Sequence, residues 1–316
     1  MPPILRVRAD DTFTIVQFTD THFTNGAPED KQTLALMAAI LEAEQPDLVI
    51  LTGDVIDGGR CTDPAAAWQL AVSPIVARGL PWAAVYGNHD DEGRLDRLAL
   101  MAVQQSIPGC LSQVGPSHVS GVGNYVLKVL AAQGDRTVAH LYCIDSNAYT
   151  DADIGGYGWI RRDQISRYLY TAHELAEANG GVKLPALAFF HIPLLEYEEV
   201  WDFHVCRGVK YEPICAPRIN TGFFAALYEA GDVLGTFVGN DHINDFMGTL
   251  HGIQLCYGRA TGYNTYGREG MARGARIIRL TKGVRAFETW LRLEGGQVVT
   301  EQPLHVPDGV KTLSAD

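Results

Sequence analysis

The stretch Asp47-Leu-Val-Ile-Leu-Thr-Gly53-Asp54-Val-Ile-Asp57-Gly-Gly59 decides how the chain is read. A short run of apolar and β-favouring residues ends on Gly-Asp, which reads as a buried strand meeting a turn. Asp54 therefore stands just past the carboxyl end of a central strand, where open α/β sheets place their ligands. Gly53 lets the backbone approach a partner closely. Taken alone, Gly-Asp is a common way to open a turn, and Asp54 would then be a solvated turn residue.

Four more stretches repeat the form. Phe13–Phe18 runs into Thr19-Asp20-Thr21-His22, and Trp82–Tyr86 runs into Gly87-Asn88-His89-Asp90. Pro185–Phe190 runs into His191, and Val233–Val238 runs into Gly239-Asn240-Asp241-His242. Each apolar run ends in a carboxylate, imidazole or carboxamide, the groups that bind metals. A single Asp-x-His is more often incidental than not. Five strand ends of one chain delivering such residues point to one metal centre. Placed in one sheet, all five would open onto a common edge.

In order, D-T-H, G-D-V-I-D, G-N-H-D, a lone His before Ile-Pro, and G-N-D-H span residues 20 to 242. This series resembles the calcineurin-like metallophosphoesterases, whose pattern runs DxH, GDxxD, GNH(D/E), H and GHxH. Asn244-Asp245-Phe246 and the stretch from Leu255 to Gly267 extend the likeness to the intracellular branch related to purple acid phosphatases. The resemblance implies an α/β fold of two packed mixed β-sheets flanked by helices. It implies two divalent or trivalent metal ions (Fe, Mn or Zn) and hydrolysis of phosphate mono- or diesters. Asp20, His22, Asp54 and His242 would hold the first ion, and Asp54, Asn88, His191 and Asn240 the second, with Asp54 bridging. A water shared by the ions would attack as hydroxide. His89 would act as general acid towards the leaving oxygen, with Asp57 as the carboxylate that orients it. Branches with the purple iron–tyrosinate colour carry tyrosine where this chain has Asp57, so no such colour is expected.

Asn240 departs from the pattern, since the family usually places histidine there. A carboxamide offers a weaker oxygen donor, so the second ion is expected to be looser and oxygen-preferring, as Mn is. Two other readings stay open. One is a nucleotide or cyclic-nucleotide phosphodiesterase. The other is a metal-binding regulatory protein that has lost catalysis, which Asn240 favours and His89 and Asp57 oppose.

Arg259, Tyr263 and Tyr266 follow the last motif in a Gly-rich loop. The arginine is a candidate phosphate clamp and the tyrosines candidate pocket walls; an ordinary surface turn explains them equally well. Asp90-Asp91-Glu92 would either repel highly charged substrates or favour the start of the next helix. His118, His140, His173, His204, His251 and His305 match no ligand position and read as structural or exposed.

The 316 residues read as one domain, because a cut between 20 and 242 would divide the ligand set; 304–316 reads as a loose tail. With 47% apolar and 20% charged residues the composition is that of a soluble globular protein. No segment approaches a membrane span and the N-terminus has no signal core, so a cytoplasmic location is expected. The net charge of −12 argues against broad nucleic-acid binding. It does not argue against a phosphoester substrate, because bound cations dominate the local field. Among six cysteines there is no CxxC pair. Cys143 and Cys256 read as buried thiols, and Cys206 and Cys215 as reduced although a loop pairing is possible.

Helices are predicted over Asp30–Glu44, Asp63–Arg78, Leu95–Gln105, Asp163–Asn179 and Asn220–Ala230. Further strands are predicted over Asn124–Leu130, Thr137–Ile144, Ala275–Leu280 and Ala286–Leu293. Specificity is expected in the loops Gly93–Gly123, Leu195–Arg218 and Arg259–Gly274.

Overall fold

A computed structural model of the chain describes residues 3–308. Its strands in chain order are β1 (Thr12–Phe18), β2 (Leu48–Thr52), β3 (Trp82–Val85), β4 (Tyr125–Leu130), β5 (Thr137–Cys143), β6 (Ala186–Phe189) and β7 (Cys206–Arg207). They continue as β8 (Val233–Val238), β9 (Met247–Leu250), β10 (Ile253–Tyr257), β11 (Gly274–Thr281), β12 (Phe287–Leu293), β13 (Val298–Val299) and β14 (Leu304–His305). The helices are α1 (Pro28–Glu44), α2 (Pro64–Val76), α3 (Arg97–Ser106), α4 (Arg162–Ala178), α5 (Glu196–Phe203) and α6 (Phe223–Ala230).

Two mixed sheets result. One runs β13-β12-β11-β1-β2-β3 and the other β14-β7-β9-β10-β8-β6-β5-β4. The strands that carry motifs are parallel: β1 to β2 to β3 in the first sheet, and β5 to β6 to β8 in the second. Parallel strands need crossover helices, and α1, α2, α4, α5 and α6 are those crossovers.

Alternation along each strand sorts the apolar side chains into three layers. Phe13, Ile15, Leu48, Ile50, Ala83 and Val85 of the first sheet meet Leu141, Cys143, Leu187, Phe189 and Phe237 of the second in a central layer. The opposite faces of the same strands send Val16, Phe18, Val49, Leu51 and Ala84 against α1–α3. Ala186, Ala188 and Val238 face α4–α6 in the same way. Strands buried on both faces explain the uninterrupted apolar runs. The fold is thus two packed mixed β-sheets covered by helices on both outer faces.

Local signals set the helix ends. Asp63 caps α2 by accepting from the Ala66 N–H, and Pro64 follows it as the first helical residue. Asp96 caps α3 by accepting from the Ala99 N–H, so that helix starts at Arg97, two residues later than predicted. α5 and β7 fall inside the predicted loop Leu195–Arg218. The expectation of a loose tail from 304 also changes: Leu304 and His305 pair with Arg207 and Cys206. Residues 309–316 lie outside the described residues. All six cysteines are free thiols, with Cys143 and Cys256 buried. No described helix is long and apolar enough to cross a membrane.

Candidate metal centre

The motif residues sit just past the carboxyl ends of five strands. Asp20 and His22 follow β1, Asp54 follows β2, and Asn88 and His89 follow β3. His191 follows β6, and Asn240 and His242 follow β8. Three loops therefore come from one sheet and two from the other. The expectation of a common edge in one sheet is corrected: the residues meet where the ends of the two sheets face each other.

Neighbouring loops are stitched by backbone hydrogen bonds. The Asp20 N–H donates to the Gly53 carbonyl at 3.1 Å, and the His22 N–H to the Asp54 carbonyl at 2.9 Å. Asp90 locks the turns after β2 and β3. Its buried carboxylate accepts the N–H groups of Asp54, Val55, Ile56 and Gly87 at 2.7–3.1 Å. Burial, and then the nearby Asp54 charge, push Asp90 up to about 7 against those donors. Asp90 thus serves the centre's backbone and not the next helix. Gly87 and Gly239 permit the close packing. A Cβ at Gly87 would collide with Asp54 Oδ1, and one at Gly239 with the Thr19 hydroxyl.

Strain concentrates here. Eight described non-glycine residues have positive φ, and four are Asp20 (53°), His22 (46°), Asp54 (47°) and Asn240 (74°). Left-handed backbone of this kind costs energy and persists where surrounding structure over-determines it, typically at functional sites.

In the first half of the centre, one donor atom from each of Asp20, His22, Asp54 and His242 lies within 4.8 Å of all the others, and all four residues are buried. His22 Nε2 is 3.3 Å from His242 Nε2 and 3.6 Å from Asp54 Oδ2. His242 Nε2 is 3.4 Å from Asp20 Oδ1. Two of the donors are oriented from behind. Thr19 Oγ1 donates to Asp20 Oδ2 at 2.7 Å, and His242 Nδ1 meets Thr265 Oγ1 at 2.5 Å. Burial, the largest influence, pushes His22 down to about 4, so its ring is neutral at pH 7.

The second half differs. His191 Nδ1 donates to the Thr52 carbonyl at 2.8 Å, which leaves Nε2 with its lone pair. That buried nitrogen has no hydrogen-bond partner, yet it lies 3.2 Å from Asp54 Oδ2. The buried Asn88 Oδ1 is likewise without a partner, because its Nδ2 donates to the Tyr149 hydroxyl at 2.7 Å. Asn240 Nδ2 donates to the Cys215 carbonyl at 3.1 Å.

Acceptor facing acceptor in a buried site requires a proton or a cation between them. Without a cation, burial lowers His191 but the Asp54 charge outweighs it and holds the ring up to about 9. Burial likewise works to raise Asp54, and the charges of His191, His22 and His89 hold it well below the ordinary carboxylate range. The unpartnered His191 Nε2 and Asn88 Oδ1 and the clustered carboxylates and imidazoles fit a metal ion in each half.

His89 packs against His22 with ring centroids 5.3 Å apart, and its backbone N–H donates to Asp54 Oδ1 at 2.8 Å. Its Nδ1 meets Glu92 Oε2 at 2.8 Å. The expected orienting residue, Asp57, is engaged elsewhere: it accepts from the Arg60 N–H at 3.1 Å and pairs with the Arg60 guanidinium at 3.3 Å. Arg259 is also engaged within the fold. Its buried guanidinium is committed to Asp245 and to the Ala272 carbonyl. Tyr263 is partly buried against the core cluster that includes Leu36, Met37 and Ile40 of α1. Tyr266 does flank the centre: its ring lies over His242 at 4.3 Å, and its hydroxyl donates to Glu212 at 2.6 Å. Of the other histidines, His140 is buried on β5 and burial pushes it down to about 4, and His305 stacks on Trp201 at 3.7 Å. Glu92, Tyr149 and Thr265 are neighbours of the motif residues that sequence reasoning did not assign. Only Glu92, three residues past His89, carried any positional hint.

A sequence profile of calcineurin-like phosphoesterases matches residues 13–213. The chain is 35% identical to the probable inactive purple acid phosphatase 29 of Arabidopsis thaliana, over 92% of this chain and 84% of that one. It is 32% identical to the phosphatase DCR2 of Saccharomyces cerevisiae, over 90% of this chain and 54% of that one. Among solved structures, a dimetal phosphatase from Danio rerio is similar with TM-score 0.60 and 14% identity, covering 88% of this chain and 98% of that one. The purple acid phosphatase PPD1 of yellow lupin gives TM-score 0.52 and 13% identity, over 96% and 57%. At these identities the structural likeness concerns the fold.

Proposed function

The chain belongs to the calcineurin-like phosphoesterase family, and from that premise we propose that it is a dinuclear metal-dependent hydrolase of phosphate mono- or diesters. One observation carries the reading: four buried donors, Asp20, His22, Asp54 and His242, converge within 4.8 Å. The donors come from both sheets, which supports reading the chain as one domain.

Bound ions would acidify a water and neutralise charge on the phosphoryl oxygens. The chain's own residues do the rest. Asp54 reaches both halves, with Oδ2 3.6 Å from His22 Nε2 and 3.2 Å from His191 Nε2. His191 and Asn88 each turn an unpartnered donor atom inward. His89 has Nδ1 occupied by Glu92, so Nε2 is the nitrogen that gives a proton to the leaving oxygen. Arg259 is paired with Asp245, so the substrate's charge would be met by the ions and His89.

The test is a screen with p-nitrophenyl phosphate and bis(p-nitrophenyl) phosphate in Mn, Fe, Zn and Mg. Metal-dependent turnover of either ester is the expected result, and cleavage of the diester alone would mark a phosphodiesterase. A second reading, a metal-binding protein without catalysis, is favoured by Asn240 and by the word "inactive" in the name of the Arabidopsis relative. Stoichiometric metal with no turnover of either ester would establish it and overturn the hydrolase.

A further inference from the structure

We propose that Glu92 and Tyr149 form a positioning circuit that takes over the task of Asp57: Glu92 orients His89, and Tyr149 ties the same carboxylate to Asn88. The inference rests on the hydrolase reading above.

Four hydrogen-bonding groups close a ring. His89 Nδ1 meets Glu92 Oε2 at 2.8 Å. The Tyr149 hydroxyl donates to the other carboxylate oxygen, Glu92 Oε1, at 3.1 Å. The same hydroxyl accepts from Asn88 Nδ2 at 2.7 Å. Asn88 and His89 are adjacent in the chain, which completes the circuit. Tyr149 also meets His89 edge-on, with centroids 6.4 Å apart, and stacks on Tyr157 at 5.9 Å.

Two functions hang on this ring. The carboxylate fixes the imidazole with Nδ1–H towards Glu92, so Nε2 faces the substrate. The hydroxyl fixes the Asn88 amide by its nitrogen, which would leave the buried, unpartnered Oδ1 to hold a second ion. No hydrogen bond joins Asp57 to His89, and its two oxygens accept from Arg60. A mere surface pair three residues apart would contribute little, for the two side chains are 36% and 34% exposed. A link to Tyr149, fifty-seven positions from Glu92, is not explained by a surface pair.

In the reaction, water adds its hydroxyl to phosphorus and the ester P–O bond breaks. The leaving oxygen keeps that electron pair and takes the proton from His89 Nε2. The remaining proton of the water goes to solvent, and His89 is recharged from solvent. Losing Glu92 misplaces the proton donor, which matters most when the leaving group is a poor one.

The experiment compares the full chain with Glu92→Ala, Glu92→Gln, Tyr149→Phe and His89→Ala, each loaded with Mn. The substrates are p-nitrophenyl and phenyl esters of the preferred phosphate class. Glu92→Ala should lower kcat on the phenyl ester by ~10- to 100-fold, with far less loss on the p-nitrophenyl ester and unchanged KM. Glu92→Gln should recover part of the loss, because its carbonyl still accepts from Nδ1–H. By elemental analysis after dialysis, Tyr149→Phe should lose Mn from one site while Glu92→Ala keeps both ions. In the Mg-loaded protein, imidazole 15N shifts of His89 should lose their fixed Nδ1–H signature in Glu92→Ala, a readout that needs no turnover. Unchanged 15N shifts, or equal losses on both esters, would overturn the circuit. A His89→Ala variant without leaving-group selectivity would instead overturn the role given to His89.

Discussion

The two halves of the centre are built from different chemistry. Around Asp20, His22 and His242 the donors are carboxylate and imidazole, buried and packed closely enough to hold a cation. Around His191 the remaining donors are two carboxamides, Asn88 and Asn240, whose nitrogens already bond to Tyr149 and to the Cys215 carbonyl. Asp54 serves both halves. On the proposed reading, crowded charge would make the first half a strong site for an ion, and neutral oxygens would make the second a weaker one, suited to oxygen-preferring ions such as Mn.

The harshest way to break this contrast is to remove what the halves share. Asp54→Asn should bring turnover to background and strip metal from both halves, as read by activity and elemental analysis together. Metal content equal to that of the unmodified protein would show that Asp54 does not bridge. His89→Ala should cost ~100- to 10,000-fold in turnover while both ions stay in place. Loss of both ions would show that His89 is a ligand and not a proton donor.

Protonation sharpens the contrast further. The metal-free His191 is held up to about 9, whereas His22 is pushed down to about 4. An ion entering the second half at pH 7 must displace a proton; one entering the first half displaces none from His22. Second-site affinity should therefore climb by about tenfold per pH unit until pH 9 and then level, while first-site affinity is nearly flat. The sign for folding is opposite. A raised His191 stabilises the metal-free fold fully below about 6.5, and that contribution fades as pH rises through 9. Calorimetry in buffers of different ionisation enthalpy counts the proton, and none released at the second site would refute the assignment. The smallest expected effect belongs to Asn240→His. It should tighten the weaker ion by on the order of tenfold and reduce the need for added Mn. Equal, tight occupancy in the unmodified chain would erase the difference between the halves.

Much of this was legible in the sequence, because the strands that matter are apolar on both faces and stop at a glycine or a ligand. β1, β2, β3, β6 and β8 announce themselves in that way. α5 did not: eight residues with three acids in the first turn resemble a loop until Tyr197 and Val200 are seen packing inward. β9 is four residues long with Gly248 inside, too short for alternation to register. At the site, the motifs gave the donor set but not its surroundings. Asp57 and Glu92 are each three residues past a motif residue, and only the path of the turns decides which of them reaches His89. Tyr149 arrives from the loop after β5 with no local signal. Arg259 looked available in a Gly-rich loop, but its partner Asp245 sits fourteen positions earlier, on the turn before β9.

The left-handed backbone at positions 20, 22, 54 and 240 has a bearing on engineering. Each such residue carries a conformational penalty of ~1–2 kcal/mol that glycine would not. Together these penalties are comparable with a sizeable part of the net stability of an ordinary domain, ~5–15 kcal/mol. A library of this protein ranked by melting temperature in chelator would thus drift towards glycine at these positions and lose its metal centre. Selection with metal present would push the other way, because binding free energy offsets the strain. Heat tolerance and metal retention have to be screened together, or the first will be gained by erasing the second.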